Sequence, residues 1–143
     1  MKNEVSKKLS VVFLVLAIGM VVFFTLQAPK ASYDLSMSVK DWLAGHGMDI
    51  EYGALRTNAH LVEYFILGLA LSLFAKNRGY KWWIPFTAGC GMGLLDETVK
   101  MFLPGREFGS RDILRDFVGV AVAVLIVTFH KYHFSKTCNV SND

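Results

Sequence analysis

The stretch Leu94–Glu107, LLDETVKMFLPGRE, decides how the chain is read. It follows an uncharged run that begins at Trp82, and it places Asp96, Glu97 and Lys100 where a membrane-spanning helix would still be in lipid. Charge in hydrocarbon is costly and is tolerated where it faces protein or a wet cavity. The block therefore predicts a helix whose last turns are shielded by neighbours, ended by a Pro104-Gly105-Arg106 turn.

The bulk numbers agree with a bilayer. Hydrophobic residues make up 53% of the 143, and mean hydropathy is +0.38. The expected class is an all-α integral membrane protein, with residues 1–143 forming a single domain. A net charge of +3 is too small to argue for nucleic acid, and the basic residues sit between apolar runs. Cys90 lies in an apolar run and Cys138 in a polar tail, so no disulfide is expected.

Four transmembrane helices are expected, over about 9–27, 59–75, 82–101 and 113–130. The first apolar run, Leu9–Leu26, is long for a signal peptide and reads as an uncleaved anchor. The other three uncharged cores are Tyr64–Ala75, Trp82–Leu95 and Phe117–Phe129, of 12, 14 and 13 residues. A perpendicular span needs about 20. Each reaches that length only by taking in charged neighbours: His60 and Glu63, then Asp96, Glu97 and Lys100, then Arg115 and Asp116.

Orientation follows from the Lys and Arg bias. Segments 1–8, 76–81 and 130–143 carry eight basic residues in 28; segments 27–58 and 99–112 carry six in 46. The bias predicts both termini inside and an antiparallel bundle. On that topology every embedded charge gathers at the extracytoplasmic end, in one polar site open outward. The loop between the first two spans is long, and Leu35, Val39, Trp42 and Leu43 fall on one helical face. That pattern suggests a short interfacial helix, either capping the polar site or serving as a connector.

The candidate acid–base residues are His60, Glu63, Asp96 and Glu97. His60, Glu63, Tyr64 and Leu67 share one helical face. A membrane-buried Glu63 should be protonated, facing a wet cavity, or paired with His60 or Arg115. Asp96 and Glu97 both reach Lys100 along the helix but point about 100° apart, so they should serve different neighbours. Asp112 stands where a cap of the last span would stand. Arg115, in the first turn of that helix, calls for an acid or an anion beside it. Lys100, Arg106, Arg111 and Arg115, beside a helix N-terminus, would suit a phosphate or pyrophosphate. The glycines at 89, 91 and 93 should permit close helix packing. The acids fit no strong metal template, and neither a metal nor another cofactor is expected.

With these residues laid out, the chain resembles the VanZ-like membrane proteins. Their first block is matched in RTNAHLVEYFILG by Arg56, His60, Glu63, Tyr64 and Gly68. The second is matched in DETVKMFLPGR by Asp96, Glu97, Phe102, Pro104, Gly105 and Arg106, and the third in DILRDFVG by Asp112 and Gly119. The blocks occupy residues 56–119 in order. Thr57 replaces a frequent Lys, Lys100 a usual Gln and Asp116 a usual Asn. The last two changes are complementary in charge, which suggests a Lys100–Asp116 salt bridge.

The resemblance implies a multi-pass protein of the bacterial plasma membrane, associated in founding members with resistance to teicoplanin-type glycopeptides. It adds Arg56 and Tyr64 to Lys100, Arg106 and Arg115 as substrate or anion contacts. Pro104, Gly105, Asp112, Asp116 and Gly119 are left as structural. The expected partners are membrane lipids and a surface or lipid-linked envelope precursor such as a polyprenyl phosphate, with a homo-oligomer open and no nucleic acid. Two rivals stand beside this reading: a proton-coupled transporter of lipids or small molecules, and a non-catalytic protein whose cluster locks the bundle while it binds partners. Whether the chain is an enzyme stays open at this point.

Overall fold

A computed structural model describes the backbone of residues 2–106 and 108–140, and the side chains of 4–55, 57–106 and 108–130. It is all-helical. The order is α1 (Lys2–Leu26), α2 (Pro29–Gly45), α3 (Tyr52–Asn77), α4 (Trp83–Lys100) and α5 (Ser110–Val140). Three segments are long and apolar enough to cross a membrane: Glu4–Leu26, Tyr52–Asn77 and Ser110–His130. The fourth expected span, α4, has 18 residues and ends in Asp96, Glu97 and Lys100. A length of about 27 Å is short of a full perpendicular crossing with its charged turn included. Those three charged residues are buried within the protein, so its neighbours shield the turn that lipid would penalise.

α3 is the centre of the bundle, packed most extensively on α5 and then on α1, while α4 leans against α5 and α3. The core is Ala17 and Val21 of α1, Tyr64, Leu67 and Ala70 of α3, and Val120 and Val124 of α5. On α1 the buried positions Ala17, Val21 and Thr25 recur every fourth residue and form one stripe. The rest of that helix exposes Leu9, Val12, Val15, Leu16 and Phe23, and α5 exposes Leu114, Leu125, Ile126 and Phe129. Helices that bury a narrow stripe and expose branched and aromatic side chains suit a lipid surround, which satisfies no backbone groups but accepts apolar ones.

The α3–α5 contact is set by glycine. A Cβ on Gly119 would lie 2.6 Å from the Leu61 carbonyl oxygen and 2.9 Å from the Phe65 nitrogen. One on Gly68 would meet Ala123 Cβ at 2.9 Å. Of the three glycines on α4, Gly89 and Gly93 approach α5, while Gly91 has nothing within 4 Å. Gly119→Ala should therefore destabilise by about 1–3 kcal/mol through forced backbone separation. Gly91→Ala should instead stabilise by up to about 1 kcal/mol, the usual gain of Ala over Gly in a helix. Thermal denaturation in detergent measures both, and equal melting of Gly119→Ala and wild type would contradict the close crossing.

α2 realises the helix suggested for the long loop. Pro29 opens it, at a position where its missing N–H costs nothing. None of its residues is fully buried. The Tyr33 ring rests on Tyr52 at 5.2 Å between centroids, which ties α2 to the start of α3.

Candidate functional site

Four helix ends meet. The last turn of α1 brings Thr25, the opening turns of α3 bring His60 and Glu63, the last turns of α4 bring Asp96, Glu97 and Lys100, and the first turns of α5 bring Asp112, Arg115 and Asp116. The sequence placed these charges at one end of the spans, and the structure brings them together.

Lys100 is the centre. Its Nζ lies 2.7 Å from Asp96 Oδ2 and 2.6 Å from Glu97 Oε1. The two acids then diverge, as adjacent positions on a helix must. Asp96 Oδ1 faces the Thr25 hydroxyl of α1 at very short range. Glu97 Oε2 accepts the Gly109 N–H at 2.8 Å, immediately before α5. Glu97 is fully buried, and Asp96 and Lys100 nearly so. Lys100 is thus matched within its own helix, and the expected bridge to Asp116 is not formed. Partners one turn away stay close whatever the neighbouring helices do, so they win over a partner on another helix.

Asp116 turns instead to His60. Their Oδ1 and Nδ1 atoms are 3.5 Å apart, and His60 Nε2 is 4.0 Å from Asp112 Oδ2. α5 begins at Ser110, so Asp112 is not its cap but lies within the first turn, where it accepts from Arg115 Nη1 at 2.5 Å. That pair supplies the acid that Arg115 required. Glu63 makes no hydrogen bond or ion pair with the described residues, so neither expected pairing, with His60 or with Arg115, is formed.

The expected anion contacts are dispersed. Arg106 donates to the Phe24 and Gln27 carbonyl oxygens at 3.1 and 2.5 Å, fastening the loop after α4 to the end of α1, where a cation is favoured. Tyr64 is fully buried in the core, its hydroxyl 3.4 Å from the Met92 carbonyl oxygen. Arg111 is exposed. The Arg56 side chain lies outside the described residues. Pro104 and Gly105 form the expected turn, and Gly105 needs its glycine for a φ of 73°.

Beside the cluster is a cavity of about 280 Å³. His60, Glu63, Asp96 and Lys100 form its polar side; Met20, Phe24, Leu35, Val39 and Ile66 are among its apolar walls. Leu35 and Val39 come from α2, so that helix covers the site and is more than a connector. Sequence reasoning missed Thr25, Ser32, Ser36 and the Gly109 N–H. Thr25 carried a weak signal as a polar residue near the end of an apolar span. Around the cavity and its floor, five carboxylates (Glu63, Asp96, Glu97, Asp112, Asp116) stand with three permanent cations (Lys100, Arg106, Arg115). The site is acidic when His60 is neutral, and its cations are already engaged by the protein. Its chemistry is that of carboxylates and an imidazole, able to hold a polar head group or move a proton.

No curated protein and no solved structure matches the chain. The VanZ/LLP1 family model matches residues 10–131, a stretch that holds all five helix contributions to the site. The chain belongs to the VanZ/LLP1 family, and that membership together with its three long apolar helices supports a VanZ-like envelope membrane protein.

Proposed function

We propose that this protein crosses the bacterial plasma membrane four times, with both termini inside, and engages a surface or lipid-linked envelope molecule through the cavity at the outer end. A polyprenyl phosphate carrier or a cell-wall precursor has the required form, with a polar head joined to an apolar chain. The observation that carries this reading is the cavity itself, which sets His60, Glu63, Asp96 and Lys100 against walls of Met20, Phe24, Leu35, Val39 and Ile66. Amphiphile sites combine a mostly apolar lining with a few convergent polar groups in this way. In this role His60, Glu63 and Asp96 contact the head group and exchange protons, and Glu97 fixes Lys100 and the start of α5. By altering access to such a molecule the protein would change how glycopeptides meet their target, as its family suggests. Lys100, Arg106 and Arg115 would take part in anion binding only by loosening their present partners.

Teicoplanin susceptibility in a Gram-positive host tests this, with Glu63→Gln, Asp96→Asn and His60→Gln compared with wild type at matched membrane abundance. Protection is expected from wild type and at least a tenfold loss of its effect in each variant, a factor corresponding to about 1.4 kcal/mol. Variants that protect as well as wild type would favour the second reading, a cluster that only locks the bundle. That reading is supported by the internal pairing of Lys100 and Arg115.

A further inference from the structure

We propose that His60, Asp96 and Asp116 hold one divalent transition-metal ion, zinc being the best fit, between α3, α4 and α5. Their ligand atoms lie within 4.8 Å of one another. Nearness of acids alone would not suffice, because clustered carboxylates are common. The independent observation is Asp116. It is fully buried, and neither of its oxygens has a hydrogen-bond partner among the described residues. His60 Nδ1 is buried in the same condition. Buried polar atoms are rarely left so, and a buried carboxylate least of all.

A protonated His60 donating to Asp116 is the simplest alternative, and the distance argues against it. Their separation is 3.5 Å. A hydrogen bond between nitrogen and oxygen spans about 2.7–3.2 Å. Two donors on a tetrahedral ion, each about 2.1 Å from it, stand about 3.4 Å apart. The pair is therefore spaced for a shared ion better than for a shared proton. Asp96 supplies the third donor. Its oxygens also serve Lys100 and Thr25, but each carboxylate oxygen has more than one lone-pair site. The ligand atoms of His60, Glu97 and Asp112 also lie within 4.8 Å of one another. It is the weaker set, since both Glu97 oxygens and Asp112 Oδ1 already accept from Lys100, Gly109 and Arg115. One imidazole with two carboxylates suits zinc or manganese better than magnesium or calcium. Three protein ligands leave a fourth position, and His60 and Asp96 both line the cavity, so that position would face the cavity. The ion would also offset the acidic excess and give an anionic head group a partner that the engaged cations do not provide. Local spacing could not have revealed the site, because its ligands lie on three helices.

The inference adds an ion to the cluster used in the proposed function but does not depend on that function. Metal binding is measured on purified protein and glycopeptide protection on cells, so either can fail alone. The full chain, free of affinity tags and stripped with EDTA in detergent, is titrated with zinc by calorimetry, and its metal content is measured after gel filtration. Manganese, magnesium and calcium are titrated in parallel. One zinc per chain is expected, with magnesium and calcium at least about tenfold weaker. Asp116→Asn and His60→Gln should each weaken zinc binding by about tenfold or more. Asp34→Asn, on α2 away from the ligands, should not. Asp116→Asn keeps the size and shape of the side chain, so a folded variant is expected; should it not fold, His60→Gln decides. Absence of zinc uptake by wild type, preference for calcium or magnesium, or wild-type affinity in the folded ligand variants would each overturn the assignment.

Discussion

Replacing Lys100 with methionine should lower the unfolding free energy by about 3–5 kcal/mol, the cost of leaving a buried charge without its counter-charge. Lys100 is 5% exposed and lies between Asp96 at 2.7 Å and Glu97 at 2.6 Å, with Glu97 fully enclosed. Methionine keeps most of the stem and its packing but removes the ammonium, so two carboxylates would face each other in a low-dielectric interior. The loss should not be additive. Glu97→Gln in the Lys100→Met background removes one uncompensated charge and should recover part of the stability, whereas Glu97→Gln alone should destabilise. Denaturation of detergent-solubilised protein, analysed as a double-mutant cycle, measures the coupling. A Lys100→Met cost below about 1 kcal/mol, typical of solvated surface pairs, would show that water reaches the cluster freely.

The pairing of Lys100 also shows what the sequence could and could not reveal. The block LLDETVK announced a shielded charged turn, because charge interrupting an apolar run has few physical explanations. The same reasoning placed His60, Glu63, Arg115 and Asp116 at the same end, and the structure has them there. α2 was legible from the spacing of Leu35, Val39 and Trp42. The partners were not legible. Charge complementarity suggested Lys100 with Asp116, but complementarity between helices says nothing about rotation of each helix about its axis, whereas Asp96 and Glu97 are held one turn away by covalent geometry. Thr25 and the Gly109 N–H were missed for a related reason: single polar groups gain meaning only once packing sets them beside Asp96 and Glu97. The fourth expected span is a helix, α4, whose charged last turn counted toward its length in the sequence and is enclosed by protein in the structure.

Filling the cavity should abolish function without disturbing the polar cluster. Ser36 and Val39 lie on α2, a helix with no fully buried residue, and both line the cavity. A tryptophan at either position adds roughly the bulk of an indole, a substantial part of about 280 Å³. Neither side chain supports the core, and among the described residues Ser36 bonds only to the Ser32 carbonyl oxygen one turn back, so stability should change by no more than about 0.5 kcal/mol, the usual surface range. If an amphiphile enters between α2 and the bundle, Ser36→Trp and Val39→Trp should lose nearly all glycopeptide protection at normal membrane abundance. Should the cluster serve only to lock the helices, both variants would protect fully, because the contacts of Lys100, Glu97 and Asp116 are untouched. The acid-to-amide variants alter charge and hydrogen bonding in the cluster; the tryptophans leave the cluster as it is and act mainly by occupying space. Their effect therefore distinguishes a binding site from a structural knot, whatever chemistry the bound molecule undergoes.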